Sequence, residues 1–448
     1  METTPTDGPA QAARLPPLRV DVSYALVTLG STAIWSVLSG WLLYFYLPPE
    51  GEGMARVPAA LLSGVLLATR VLNALIAPPI GQLSDHTRSR WGRRLPYMAL
   101  SALPMLALFV LVWTPPVHGE SLWNLLYLAV VFTLYNGLHT LNQVPYTALL
   151  PEIAVTDAHR VRISAWTSAF LLLGMILSAL AGPLIARIGY AWTGLFYAVV
   201  CLPLFYLPLF VLRERRERQI PPEERLTLWQ GFAAMARNRP FWILTVAGGL
   251  YWVTTTLVQS ALPFIVTEIC GLDTADTLYF YLPSILGALA CYPLVAWLAG
   301  RVGKWRVFTA SLLASAAILP GVALIGRWLP LSLTAQGILW VTLQAIAMSG
   351  AMMLPPAFGA EITDYDATLT GQRREGLYYA TWGLLDQVGS GAAAALLPLL
   401  LLLGRSRFDP HGPLGVRMVG IVSSLLMLVA FLVFLRYPLR PGAARKGE

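Results

Sequence analysis

The sequence predicts an all-α membrane protein with twelve transmembrane helices in two bundles of six. Three observations predict it. Of 448 residues 56% are hydrophobic and only 12% charged, with mean hydropathy +0.63. A soluble domain carries about 25% charged residues, so this composition excludes an ordinary water-soluble globule. The apolar residues also fall into twelve blocks, each long enough for a ~30 Å hydrocarbon core. Finally, the longest charged segment, 213–240 (RERRERQIPPEERLTLWQGFAAMARNRP), leaves six blocks on either side of it.

Each block ends at a charge cluster or a Gly/Pro break. Span 1 (23–47) stops at PPEGEG, span 2 (55–80) at GQLSDHTRSR, span 3 (97–114) at PPVHGE and span 4 (121–149) at PEIAVTDAHR. Span 5 (163–185) ends at RIG, and span 6 (190–212) at the charged linker. In the second half, spans 7 (241–267), 8 (277–299) and 9 (307–326) end before GLDTAD, at GRVGKWR and at GRWLP. Spans 10 (333–358), 11 (377–403) and 12 (414–436) end at AEITDYD, GRSRFDPHGP and the C-terminal RYPLRPG. The expected organisation is a disordered Pro/Ala-rich tail (1–20), a first bundle (21–212), a linker (213–240), a second bundle (241–437) and a short tail (438–448).

Charge sets the expected orientation. Of the 31 basic residues only 2 are lysine, and with 23 acids the net charge is +8. With the N-terminus inside, 24 basic residues fall in cytoplasmic segments and 6 in external ones, leaving Arg70 inside a helix. The positive-inside rule therefore places both termini in the cytoplasm of a multi-pass protein expected in the plasma membrane, which is the inner membrane if the cell is Gram-negative. Interrupted by apolar blocks, these arginines form no single patch for nucleic acid. Cys201, Cys270 and Cys291 are isolated and make neither a disulfide framework nor a metal motif. No cofactor, metal or catalytic constellation is expected, and the chain is expected to be a monomer in contact with membrane lipid.

The halves echo each other. PEIAVTDAHRVR follows span 4 and AEITDYDATLTGQRR follows span 10, placing Glu152 and Glu361, and equally Asp157 and Asp366, 209 residues apart. Gly81 and Gly300 open basic loops after spans 2 and 8. A six-helix parallel repeat with a solute site between the halves is a transporter architecture.

Polar groups at membrane depth are costly, which makes them functional candidates. Arg70 lies eleven residues before Gly81 and Asp386 ten residues after Gly376, both ~16 Å into the membrane at 1.5 Å per residue. Such charges either pair as a latch between halves or are satisfied separately by hydroxyls, amides and water. In span 4 Asn136, His139, Thr140, Gln143 and Thr147 recur at helical spacing, as do Tyr24, Thr28, Ser31, Thr32, Trp35 and Ser39 in span 1. Span 7 adds Tyr251, Thr254, Thr255 and Gln259. These stripes either line a wet cavity or bond helix to helix. Trp35, Tyr146, Trp252, Tyr379 and Trp382 lie beside them, suited to stacking on the apolar face of a ligand or to packing. His139 offers either a proton site or an ordinary hydrogen bond.

Two cytoplasmic motifs carry charge networks. GQLSDHTRSRWGRRLPY places Asp85 at a helix end before Arg88, Arg90, Arg93 and Arg94. The second, EITDYDATLTGQRREG, carries Glu361, Asp364, Asp366, Arg373 and Arg374, while Glu152 and Arg160 flank the loop after span 4. Carboxylates at helix ends can pair with these arginines and close the inner face, or the charges can simply fix topology.

At these motifs the sequence resembles the glycoside–pentoside–hexuronide:cation symporter family of the major facilitator superfamily, the group of melibiose permease. TRSRWGRRLPY, DYDATLTGQRREGLYYA, YALVTLGSTAIW with WLLYFYL, and NQVPYTALLPEI carry the resemblance. It implies a sugar site between the bundles and alternating access driven by Na⁺, H⁺ or Li⁺. The family's span 2 arginine matches Arg70, but the two cation-binding carboxylates that follow it fall on Asn73 and Ala77. The sugar-binding aspartate of span 4 aligns with Gln143, that of span 1 near Thr32, the span 5 arginine on Thr167 or Ser168, and the span 11 lysine on Gln387. The resemblance thus implies the fold while the anionic cation ligands are gone.

The sequence therefore reads as a secondary transporter, not an enzyme, for a small glycoside-like or amphipathic solute. A proton carried by Asp386 is the candidate coupling ion in place of Na⁺. A lysolipid translocator of the same fold is the alternative within transport, and a membrane-embedded transferase or a scaffold the alternatives outside it.

Overall fold

The computed structural model describes residues 17–49, 52–87, 89–154, 156–213, 238–327, 329–370, 389–403 and 413–438. The described elements are helical: α1 (Leu18–Tyr46), α2 (Ala59–His86), α3 (Leu95–Leu111), α4 (Leu122–Ile153), α5 (Asp157–Ala179) and α6 (Ala181–Val211). After the linker come α7 (Arg239–Phe264, prolonged by a π turn Ile265–Ile269), α8 (Thr277–Val302) and α9 (Lys304–Ile318). The last three are α10, in segments α10a (Leu333–Met353) and α10b (Pro355–Thr370), α11 (Gly389–Leu401) and α12 (Leu414–Phe434). Apolar length decides these elements, because a backbone in lipid must satisfy its own amides.

Packing divides them into two sets. In the first, α1 lies against α5 and α6, α4 against α2 and α3, and α3 against α6. The second set repeats this plan: α7 lies against α12, α10a against α8 and α9, and α9 against α12. The sets meet through α1 on α7 and through α5 and α6 on α8. This is the expected major facilitator arrangement of two six-helix bundles.

Boundaries differ from the expectation at two places. Helix α1 starts at Leu18, inside the segment read as tail. Between spans 5 and 6 helical geometry continues through Leu180 (φ −73°, ψ −7°), and the turn falls where the RIG break puts it, at Gly189 (φ 77°, ψ 173°), in the left-handed region that a Cβ disfavours. The second difference is in span 10. Helix α10b carries the chain to Thr370, so Glu361, Asp364 and Asp366 sit on a helix and not in a loop. Residues 371–388, with Arg373, Arg374, Tyr379, Trp382, Asp386 and Gln387, lie outside the described residues, as does Arg88. The same holds for most of both tails and of the linker.

Candidate functional site

Helices α1 and α4 form one wall through paired side chains. The rings of Tyr24 and Tyr146 stack at 4.4 Å. Tyr146 donates to the Tyr24 carbonyl at 3.0 Å and shares a 2.7 Å hydrogen bond with Thr28, while Tyr24 donates to the Tyr146 carbonyl at 3.4 Å. One turn on, Gln143 Nε2 donates to Ser31 Oγ at 2.5 Å. Asn136 donates to the Phe132 carbonyl at 2.7 Å and Thr140 to Asn73 Oδ1 at 2.5 Å, the latter joining α4 to α2. Each interhelical bond of this kind contributes roughly 0.6 kcal/mol in a membrane.

The stripes therefore split by role. Tyr24, Tyr146, Asn136, Thr140, Tyr251 and Thr254 are buried between helices. Half-buried on the same helices are Thr28, Ser31, Thr32, Trp35, His139 and Gln143, and, on α7, Trp252, Thr255 and Gln259. Arg70 is buried beside this second group, its guanidinium 4.3 Å above the Trp35 ring and 6.0 Å from Phe132. His139 stacks with Trp35 at 6.1 Å and with Tyr135 at 6.0 Å. The result is a guanidinium among aromatic faces, ringed by hydroxyls and amides. Such a set can stack on an apolar ring face and hydrogen-bond hydroxyls at its edge. Asn73 is spent on Thr140, and Ala77 offers a methyl group where a cation needs oxygen.

On the arginine-rich face, the ion pairs among the described residues lie inside each half. Arg93 and Arg94 both reach Glu152, Arg94 at 2.7 Å, and Arg94 also donates to the Ala148 carbonyl. Lys304 reaches Glu361 at 2.8 Å and donates to the Ala357 carbonyl at 3.1 Å. The two glutamates of the repeat thus do similar jobs, Glu152 tying the segment after α2 to the end of α4 and Glu361 tying the start of α9 to the middle of α10b. Asp85 stands in the last turn of α2. Arg160 and Asp364 are exposed, whereas Asp366 is buried.

The opposite face brings the halves together. Ser260 donates to the Ser39 carbonyl at 2.6 Å. The Tyr44 hydroxyl donates to Glu52 and lies 3.1 Å from Thr267 Oγ1, and its ring packs on Phe264 at 4.9 Å. A Cβ on Gly182 would overlap Thr277 Oγ1 and the Thr274 carbonyl, so only a glycine lets the chain approach α8 there. Arg56, in the loop after α1, donates to the Phe45 carbonyl and stacks 4.0 Å above its ring. Burial pulls its pKa down, opposed by Tyr190 and Tyr46.

One cluster escaped the sequence reading. Asp21 of α1 accepts a 2.7 Å bond from His159 Nε2 and pairs with Arg162, both on α5. The carboxylate and imidazole are wholly buried, and the Arg162 side chain is 25% exposed. The signal was available: a lone acid in an apolar span and a His/Arg pair three residues apart on one helix face.

Two six-helix halves around a polar stripe, sealed at one end, define a major facilitator transporter. Residues 23–440 match the family model described as MFS/sugar transport protein, and the chain belongs to that family. It is 26% identical over 420 residues to the isoprimeverose transporter of Lactiplantibacillus pentosus, covering 90% of this chain and 84% of that protein. It is 24% identical to the glucuronide carrier protein homolog of Escherichia coli (strain K12), covering 94% and 92%. Among solved structures it resembles the nucleoside transporter NupG, with TM-score 0.59 and 13% identity over 94% of this chain and 100% of that one. A bacterial homolog of the human lysosomal transporter Spinster gives TM-score 0.64 and 13% identity over 93% of this chain and 95% of that one. At that identity, only the fold is shared. The chain is a multi-pass membrane transporter and not an enzyme.

Proposed function

We propose that the protein carries a glycoside-like solute across the plasma membrane by alternating access, between a wall made by α1, α2 and α4 and a facing wall on α7. The half-buried set Thr28, Ser31, Thr32, Trp35, His139, Gln143, Thr255 and Gln259 carries this reading. These groups hydrogen-bond and stack, and a glycoside presents hydroxyls on an apolar ring. Both relatives' names, an isoprimeverose transporter and a glucuronide carrier homolog, support a glycoside as solute. With the arginine-rich face in the cytoplasm, the seal at Ser39–Ser260 and Gly182–Thr277 closes the outside, and the arrangement is inward-facing.

Uptake into proteoliposomes tests it with radiolabelled isoprimeverose, a methyl glucuronide and a lysophospholipid as probes. Saturable uptake of either glycoside, lost in Trp35→Ala and Gln143→Ala, is the expected result. Transport of the lysophospholipid alone would overturn it. Sodium is expected to change neither uptake nor melting temperature, because Asn73 is engaged by Thr140 and Ala77 supplies no ligand. A sodium dependence that survives replacement of Asp386 would refute that part.

A further inference from the structure

We propose that the carboxylate of Asp21 with the imidazole of His159 is the proton-binding site that drives this carrier, Arg162 being the counter-charge that a proton displaces. The inference rests on the reading of the chain as an alternating-access carrier.

Burial comes first. Among the described residues, Asp21 is the carboxylate with no exposed surface, and its imidazole partner is equally buried. An ionised carboxylate accepts only, so Nε2 of His159 carries the hydrogen of the 2.7 Å bond. With Arg162 in place and a neutral imidazole, the cluster has no net charge. A proton added to the ring would leave two cations on one buried carboxylate, an expensive state. If Arg162 turns outward, the same proton restores neutrality. Arg162 stands at the rim, where water can receive its guanidinium, whereas the other two members do not reach the surface. Arginine and proton are therefore alternative counter-charges for one carboxylate. The step balances: one proton enters the ring, one guanidinium leaves Oδ2, and Asp21 remains ionised throughout.

Position supplies the link to transport. Asp21 ties α1 to α5, and these same helices touch the other half, α1 on α7 and α5 on α8. One turn along α1 stands Tyr24, clasped by Tyr146, whose hydroxyl also bonds Thr28 of the proposed solute wall. A change at Asp21 thus reaches the wall through one turn of α1 and the hydrogen bonds that Tyr146 makes to Tyr24 and Thr28. From α5 the groups facing Asp21 are His159 and Arg162, and from α4 the nearest titratable group on that path is Tyr146. Helix α6 meets α1 through the apolar Leu204 and Phe205 at Gly30, and α7 meets it at the far end, where Phe264 packs on Tyr44.

The full-length protein in proteoliposomes provides the test, with isoprimeverose as probe and Asp21→Asn, His159→Gln and Asp386→Asn as variants. Glutamine can still donate to Asp21, so His159→Gln is expected to fold while unable to hold the proton. Exchange at equal pH should stay within about twofold of the parent, while accumulation against a pH gradient should fall about tenfold or more, roughly the cost of one lost coupling step. Retained accumulation in both variants would overturn the proposal, especially if Asp386→Asn abolishes it. Equal loss of exchange and accumulation would make the cluster a structural tie, which also overturns it. A second readout needs no solute: the melting temperature of the parent should respond to pH, and His159→Gln, which cannot take the proton, should remove that response. If isoprimeverose is not carried but this pH dependence behaves as stated, the glycoside reading fails and the proton site stands. A pH dependence that persists in His159→Gln refutes the site whatever the solute.

Discussion

The two faces of the molecule are held by different chemistry. On the arginine-rich face the ion pairs among the described residues run within a half: Arg93 and Arg94 on Glu152, Lys304 on Glu361, and Arg162 and His159 on Asp21. At the opposite face the halves meet through hydroxyls, a backbone carbonyl and a glycine: Tyr44 on Thr267, Ser260 on Ser39, Gly182 beneath Thr277. Neutral hydrogen bonds net about 1 kcal/mol each, so a seal of this kind can part and reform. Buried ion pairs resist separation, because parting them strands a charge. Charge holds Arg93, Arg94 and Glu152 together within a half, whereas the close neutral contacts between the halves cost less to part.

The largest expected effect on labelling comes from breaking the close approach. Gly182→Leu places carbon where Thr277 and the Thr274 carbonyl stand, so the opposite face should remain open. In a background lacking Cys201, Cys270 and Cys291, maleimide labelling of Ser260→Cys should rise about tenfold or more, equivalent to about 1.4 kcal/mol of population shift. Unchanged labelling would mean that the seal is made elsewhere.

Next is the contrast between the two glutamates. Glu152 and Arg94 show 8% and 10% side-chain exposure, against 32% and 34% for Glu361 and Lys304. Glu152→Gln should cost about 3 kcal/mol, since two guanidinium groups lose one buried partner. Glu361→Gln should cost less than about 1 kcal/mol, as for other exposed pairs. Equal drops in melting temperature would refute the distinction by burial.

Arg70 and Asp386 extend the comparison to the middle of the membrane. If they meet, each alanine variant alone should destabilise the protein by about 3 kcal/mol and the double variant by less than either. Additive losses in the cycle would show that they do not pair. The smallest effect is expected from Tyr44→Phe. It removes one hydroxyl from the seal, worth about 1 kcal/mol, and should raise the same labelling rate severalfold while leaving the melting temperature nearly unchanged.

Much of the architecture was legible because it depends on local composition. Span 8, expected at 277–299, begins at Thr277, and span 12, expected at 414–436, begins at Leu414. Span 10 was misjudged because hydropathy stops at the charged AEITDYD segment, whereas backbone hydrogen bonding does not, and α10b runs on to Thr370. Gly189 marks the turn before span 6 for a local reason as well, since that backbone conformation suits glycine.

The sequence by itself determined the number of the spans and the six-helix repeat, since hydropathy is a property of the chain alone. It also marked the polar faces, since periodicity shows which residues share one side of a helix. Only the tertiary structure decided what each face meets. It placed Thr140 and Tyr146 against other helices, bonded Asn136 within its own, left Thr28, His139 and Gln259 half-buried, and turned the arginine-rich motif inward on Glu152. It joined Asp21 to His159 across 138 residues, a pairing that no local pattern encodes. A buried charge must find its counter-charge somewhere in space, and packing chooses where.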